Sequence, residues 1–143
     1  MNYKEILHSL DEKNYLEYPQ IFDYEKLNRR VHRVFNDLNK ELDCNLNVEE
    51  GLSIQDASYH ADIILKEYKS EHFIGRICLR FSNFGNIVAF TDEAEIGNDW
   101  RKVICDTLNK YDFMLIPLDI LDEKYDGCNK VIDSWWIRFF DYL

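Results

Sequence analysis

The sequence predicts an α+β fold in one domain, with N-terminal helices packed on one face of an antiparallel sheet of four to five strands. Helical apolar spacing runs through the first 42 residues, and apolar and polar residues alternate after Gly51. The chain has 143 residues, 46% of them hydrophobic, which is enough for one core. Five glycines and two prolines leave no linker for a second domain, so we expect a single domain over 1–143.

Two helices are predicted before the sheet. Asn2 and Glu5 have the spacing of a capping box, and an apolar face follows at Tyr3, Ile6, Leu7 and Leu10. A longer helix begins after Asp23, and its apolar positions are Tyr24, Leu27, Val31, Val34, Leu38 and Leu42. Its opposite face is basic and is interpreted as a solvated surface, with Arg29, Arg30, Arg33 and Lys40.

Three strands and a further helix follow. The strands are predicted at residues 59–65, 73–81 and 87–90. Their short connections predict an antiparallel meander. A helix opens at Gly97 with its apolar face on Trp100, Val103, Ile104, Leu108 and Tyr111, and a buried strand and a single helical turn come next, at 113–116 and 118–121.

The last ten residues are dense in aromatic side chains. We predict a C-terminal strand over 134–143, with a short helix as the alternative, because periodicity does not distinguish the two here. Trp135, Trp136 and Phe139 are expected to pack in the core, since an apolar chain end usually docks on a sheet.

Net charge excludes several classes of function. The chain holds 17 lysines and arginines against 27 aspartates and glutamates, a net charge of -10. General nucleic-acid binding and docking on an anionic membrane both need positive charge. No apolar run is long enough for a bilayer span, and the N-terminus lacks the apolar core of a signal peptide. We therefore expect a cytoplasmic protein without nucleic-acid or membrane partners.

The cysteines and the usual enzyme motifs give no sign of a cofactor. Cys44, Cys78, Cys105 and Cys128 form no CxxC pair, so reduced, buried thiols are expected rather than a metal or redox site. The sequence contains no GxSxG, Walker, GxGxxG or HExxH motif. We predict no catalytic residues, no metal and no cofactor.

One cluster keeps an enzyme as the alternative. Asp56, His60 and Asp62 lie close together on the first predicted strand, and His60 and Asp62 are expected to share a face. An imidazole beside carboxylates can bind a metal ion or transfer protons. Arg76 and Arg80 on the next strand oppose a metal, so the favoured interpretation is a solvent-facing, salt-bridged sheet surface.

The distribution of acidic residues is the strongest functional signal. Between Asp92 and Asp126 the chain has ten acids and four bases, a net of -6. Several of the acids fall in predicted loops, where they either keep the protein in solution or meet a basic protein partner. We predict a partner-binding surface made by Asp92, Glu93, Glu95, Asp99, Asp119, Asp122, Glu123 and Asp126.

Three stretches of the chain carry a resemblance to a known group of proteins. They are SIQDASYH at 53–60, RFSNFGN at 80–86 and DSWWIRFFDYL at 133–143. With these stretches, the small acidic domain resembles the immunity proteins of bacterial polymorphic toxins, of the contact-dependent growth inhibition type. The resemblance implies a protein, monomeric when free, that neutralises a cognate toxin in the cytoplasm, often a basic nuclease, by occluding its active site. A regulatory protein-interaction domain is a further alternative, and it predicts an exposed apolar patch and stable self-association through Trp135, Trp136 and Phe139.

Overall fold

Five strands form one sheet in chain order, β1 to β5. The structure is a computed structural model that describes residues 2–51, 57–94, 96–129 and 131–142, with only the backbone of residues 69, 70, 73 and 74. Its elements are α1 (Tyr3–Leu10), α2 (Tyr24–Glu41), β1 (Asn47–Glu50), β2 (Tyr59–Ser70), β3 (Phe73–Ser82), β4 (Ile87–Phe90), α3 (Asn98–Lys110), β5 (Met114–Leu115), α4 (Leu118–Leu121) and α5 (Trp135–Phe140).

The α+β class and the meander are confirmed, but the sheet is mixed. Strands β1 to β4 pair antiparallel, whereas β5 pairs parallel with β4. The expectation of a wholly antiparallel sheet is wrong because α3 returns the chain to the end of the sheet where β4 begins. Strand β1 was not predicted, since its sequence NVEE has no alternating apolar pattern.

Helices cover both faces of the sheet. α2 and α3 pack on one face, and α1, α4 and α5 pack on the other. Strand β4 is apolar throughout because Val88 and Phe90 enter the first core while Ile87 and Ala89 enter the second. The prediction that both N-terminal helices pack on one face of the sheet is therefore wrong. Leu7 of α1 is buried in the second core, on the face opposite α2.

The predicted helix starts are confirmed. Asn2 Oδ1 accepts a hydrogen bond from Glu5 N–H at 2.8 Å, and the Glu5 side chain completes the capping box. Asp23 Oδ1 accepts from Lys26 N–H at 3.0 Å and caps α2. The predicted helical turn at 118–121 is α4.

The predicted C-terminal strand is wrong, and the alternative of a short helix is right. Ser134 Oγ accepts from Ile137 N–H and caps α5. The rings of Trp135 and Phe139 stack at 5.7 Å, an i, i+4 contact that only a helix provides. Both side chains are fully buried, which confirms their predicted place in the core, whereas Trp136 is half-buried.

A buried ion pair joins α5 to the connection between α1 and α2. Arg138 Nε donates to Asp11 Oδ1 at 2.7 Å, and the Arg138 side chain has no exposed surface. Asp11 Oδ2 also accepts from Tyr125 O–H at 2.6 Å and from Cys128 N–H at 2.9 Å. Burial alone would raise the pKa of Asp11, but the hydrogen bonds from Tyr125, Arg138 and Cys128 outweigh it and lower that pKa.

All four cysteines are free thiols. Cys78 is buried, Cys44 and Cys105 are half-buried, and Cys128 is exposed, so the expectation of buried thiols is wrong for Cys128. In the described part of the chain, no helix combines the length and the apolar character that a membrane span requires.

Candidate functional site: an acidic rim at one end of the sheet

Two acidic loops begin side by side at the same end of the sheet. Strand β4 ends at Phe90 and its parallel neighbour β5 ends at Leu115, so the segments that follow them leave the sheet together. Glu93 Oε1 accepts a hydrogen bond from Leu118 N–H at 3.2 Å. This contact joins the loop after β4 to the start of α4 across 25 residues of sequence, and it brings the acids of the two segments to the same end of the sheet.

Six of the predicted acids form the surface that we call the acidic rim: Asp92, Glu93, Asp99, Asp119, Asp122 and Glu123. Glu93 is half-buried and the other five are exposed. Within the described residues, no rim carboxylate lies within 4.0 Å of a basic side chain. Asp92 Oδ1 accepts from Ala94 N–H at 2.9 Å, so its carboxylate is held by its own turn. The rim therefore carries negative charge that this part of the chain does not neutralise by ion pairing.

The rim as defined here leaves out two of the predicted site residues, Asp126 and Glu95. Asp126 lies 3.2 Å from His8 Nε2 and 3.7 Å from Lys4 Nζ, both on α1. The Lys4 ammonium offsets the charge of Asp126 and gives it a partner within the fold. Glu95 lies outside the described residues.

A groove of about 390 Å³ runs beside the rim, between α3 and β5. Arg101 lies at one end, where its guanidinium donates to the Glu93 carbonyl oxygen at 2.9 Å and lies over the ring of Phe90. Met114 and Leu115 supply an apolar wall. This combination of apolar wall and charged border suits the contact surface of another protein.

Cys105 is the nucleophile candidate in this groove. Burial raises the pKa of its thiol, and the nearby Arg101 only partly opposes that rise. A raised pKa keeps the thiol protonated at neutral pH, and the thiolate is the reactive form. The environment of Cys105 therefore favours a packing role over a nucleophilic one.

The structure separates His60 from Asp62, against the expectation of a shared, solvent-facing surface. Both are buried, at 2% and 5% exposure. The β2–β3 register passes from Tyr59 opposite Ser82 directly to Ala61 opposite Phe81, so His60 is the extra residue of a β-bulge. The bulge turns His60 toward α2 and shifts the alternation of faces, which the sequence pattern does not reveal.

His60 and Asp62 have different partners. His60 Nε2 lies 2.8 Å from Asn28 Oδ1, and its Nδ1 has no hydrogen-bond partner among the described residues. Burial is the main cause that lowers the pKa of His60 to about 4, so the ring is neutral at pH 7. Asp62 accepts two hydrogen bonds from Arg80, at 2.8 and 2.9 Å, and Arg80 also donates to the Phe140 carbonyl of α5.

The metal or proton-transfer site considered for Asp56, His60 and Asp62 is not assembled by these contacts. Asp56 lies outside the described residues, and His60 and Asp62 are buried in separate contacts. Arg76 pairs with Glu49 instead of facing His60. Across the described ranges, no group of three or more His, Cys, Asp and Glu side chains is placed to hold a metal ion.

Sequence reasoning missed an exposed apolar surface between α1 and α2. Tyr15, Tyr18 and Ile21 are exposed there. The available signal was the length of this irregular connection, 11–23, because long ordered loops are often functional.

In comparisons with protein-family models, curated proteins and solved structures, nothing matches this chain. Function is therefore inferred from geometry and charge.

Proposed function

We propose that this protein is an immunity protein that binds a cognate, basic, nuclease-type bacterial toxin in the cytoplasm and neutralises it by occluding its active site. The acidic rim is the observation that carries the proposal. Its six carboxylates lie on two segments, 92–99 and 119–123, which the Glu93–Leu118 hydrogen bond joins, and none is neutralised by a basic side chain of the described residues. Such a surface is complementary to a positively charged cleft.

The negative charge of the acidic rim acts on a basic partner before the two proteins touch. A patch of one sign attracts an oppositely charged partner over distances of about one Debye length, roughly 10 Å at 0.1 M salt. Such steering raises association rates by about 10 to 10³-fold. An inhibitor that must reach its toxin before damage occurs benefits most from a fast association. The net charge of -10 for the whole chain acts in the same direction.

The rim also suits occlusion of a site that binds phosphates. A nuclease active site presents basic groups to the phosphates of its substrate. Carboxylates can occupy the same positions and satisfy the same donors through charge-assisted hydrogen bonds. The hydrogen bonds that hold Asp92 and Glu93 to backbone N–H groups fix those two carboxylates in advance, which reduces the entropy lost on binding.

Co-expression is the experiment that tests this function. The chain is expressed together with the basic protein encoded next to its gene, in cells whose growth that protein arrests. The proposal expects restored growth and a stable complex of the two proteins on a sizing column. Continued arrest together with separate elution would refute it.

A regulatory protein-interaction domain is the second candidate, and a specific observation supports it. Its predicted contact through Trp135 and Phe139 is wrong, because both side chains are fully buried. Large apolar side chains are exposed instead between α1 and α2. Light scattering of the purified protein distinguishes the two candidates: stable self-association would favour the regulatory domain, and a monomer would favour the immunity protein.

A further inference from the structure

Exposed apolar side chains are concentrated in one stretch of the chain. In the described residues seven large hydrophobic side chains are exposed, and four of them lie in residues 15–24: Tyr15, Tyr18, Ile21 and Tyr24. Ile21 is 93% exposed. We call residues 15–24 the aromatic segment. Single exposed apolar residues are ordinary, but a cluster marks an interaction surface.

The aromatic segment is fixed from the inside of the protein. The buried guanidinium of Arg138 donates at 2.9 to 3.3 Å to the carbonyl oxygens of Glu12, Tyr15 and Leu16. Asn83 Nδ2 donates to the Glu17 carbonyl at 2.9 Å. These bonds turn the backbone carbonyls inward, and the tyrosine side chains nearby are left at the surface.

This arrangement is a preorganised contact surface. The rings of Tyr18 and Phe22 stack at 5.7 Å, and the ring of Tyr24 lies 4.6 Å from that of buried His60. Tyrosine is enriched among the residues that dominate binding energy in protein interfaces. A loop that is ordered before binding loses less conformational entropy when the partner arrives. The fold thus holds exposed aromatic rings in fixed positions.

A cleft of about 280 Å³ lies between the aromatic segment and the turn that precedes β4. Its size is near the lower limit of small-molecule sites, roughly 300 Å³, and suits one inserted side chain. Ile21 and Phe22 form an apolar wall, and Lys26 and Arg30 border it. Asp23 also lines the cleft, but its carboxylate caps the N-terminus of α2.

The cleft carries local positive charge in a chain of net charge -10. Lys26 has no ion-pair partner within the described residues. Arg30 donates to Asn86 Oδ1 and to the Tyr111 carbonyl, neither of which neutralises its charge. A carboxylate that approaches this cleft therefore meets two cations and one carboxylate, Asp23. Because the charge of Arg30 is partly offset by Asp112, Lys26 is the main attraction.

We propose that the aromatic segment and this cleft form a second docking surface, for a protein segment that presents an aromatic side chain next to a carboxylate. The apolar wall takes the ring, and Lys26 binds the carboxylate. This surface lies before β4, whereas the acidic rim follows β4, so the two are at opposite ends of the strand. The proposal does not depend on the toxin-binding function.

Two dipeptides that differ in the sign of one side-chain charge test the proposal. N-acetyl-Trp-Asp-amide and N-acetyl-Trp-Lys-amide are titrated into the ¹⁵N-labelled protein, and amide chemical shifts locate the binding site. The acidic peptide should shift amides of residues 17–30 and 83–86. Its affinity should exceed that of the basic peptide by at least roughly fivefold, since one attractive charge pair in water contributes about 1 kcal/mol and the basic peptide is repelled instead.

Two charge reversals on α2 complete the test. Lys26→Glu should reverse the preference between the two peptides, whereas Lys40→Glu, at the far end of the same helix, should preserve it. Both side chains are exposed, so both variants should unfold at the wild-type urea concentration. Equal binding of the two peptides to the wild type, shifts confined to other residues, or an unchanged preference in Lys26→Glu would each overturn the proposal.

Discussion

The acidic rim and the aromatic segment lie at opposite ends of β4 and are built in different ways. The rim consists of two short segments whose carboxylates are exposed except for half-buried Glu93, and the hydrogen bond between Glu93 and Leu118 joins the two segments. The aromatic segment is anchored by Arg138, which has no exposed surface. Charge acts over a distance and tolerates loose positioning, while apolar contact requires matching shapes. Each surface therefore has the degree of order that its type of interaction needs.

Removal of Arg138 should have the largest effect on the free energy of unfolding. It tests whether this side chain anchors the aromatic segment. Arg138→Met leaves Asp11 as a buried charge without its ion-pair partner. It also removes a donor from three carbonyl oxygens, of which, among the described residues, only that of Glu12 keeps another side-chain donor, Asn129 Nδ2. Breaking a buried pair in this way costs about 3–5 kcal/mol. Urea unfolding measures this loss, and amide hydrogen exchange should show faster exchange in residues 12–23 while the rim loops stay unchanged.

A matched control separates burial from charge. Arg76→Gln also removes an arginine from an ion pair, with Glu49, but both side chains are exposed. Solvent screens such a pair, so the urea midpoint should remain close to that of the wild type. Equal stability of the Arg138→Met and Arg76→Gln variants would show that Arg138 does not anchor the aromatic segment.

A fall in pH should produce the next largest decrease in the free energy of unfolding, because the pKa values of His60 and Asp11 are lower in the folded protein than in the unfolded chain. The pKa of His60 falls from 6.5 in the unfolded chain to about 4 in the fold, so the unfolded state binds the extra proton between these values. The free energy of unfolding should therefore decrease by about 3 kcal/mol from pH 6.5 to pH 4. The lowered pKa of Asp11 adds a further decrease as the pH falls through that pKa.

Urea titrations at several pH values measure this dependence. His60→Gln has no group that titrates at this position, so its unfolding free energy should vary less between pH 6.5 and 4. The same slope in the variant and the wild type would assign the acid sensitivity to other groups.

The sequence made the rim predictable but not the aromatic segment. Asp92 and Asp119 are charged wherever they lie, and loops before and after α3 could be recognised from Gly97 and Pro117. Tyr18 and Ile21 look like core residues in a sequence, and the backbone just before them is hydrogen-bonded to Arg138, which is more than 100 residues away. The bulge at His60 was hidden for a similar reason, because it appears only in the pairing of β2 with β3.

The same reasoning explains which parts of the fold were predictable. α2 and the meander follow from local periodicity. The parallel pairing of β5 and the placement of α1 on the second face depend on contacts between distant segments, such as Leu7 with the α5 core. Helix α5 was ambiguous because a run of aromatics fits a strand and a helix equally well.

Substitution of exposed apolar residues in the aromatic segment should have the smallest effect on the free energy of unfolding. It tests whether these side chains stabilise the fold. The double variant Tyr18→Ser, Ile21→Ser removes apolar surface that the fold leaves in contact with water. We expect the free energy of unfolding to change by less than about 0.5 kcal/mol per site. Phe139→Ala, in the core, should cost about 3–5 kcal/mol in the same urea experiment. A large loss in the double variant would mean that the segment serves the fold rather than a partner.

The most direct test of the central claim is the rate of association with the basic protein encoded next to the gene, the partner in the proposed function, measured across salt concentrations. The rim variant carries Asp92→Lys, Asp119→Lys and Asp122→Lys, and the matched control carries Arg29→Glu, Arg33→Glu and Lys40→Glu on the solvated face of α2. Arg30 is left unchanged because it bonds to Asn86 and the Tyr111 carbonyl.

At 0.1 M salt the rim variant should associate at least about tenfold more slowly than the wild type, and the difference should shrink at 1 M, where the screening length falls to about 3 Å. The control should associate as fast as the wild type or faster. Wild-type kinetics in the rim variant, with slow association in the control, would place the partner on α2 and contradict the account.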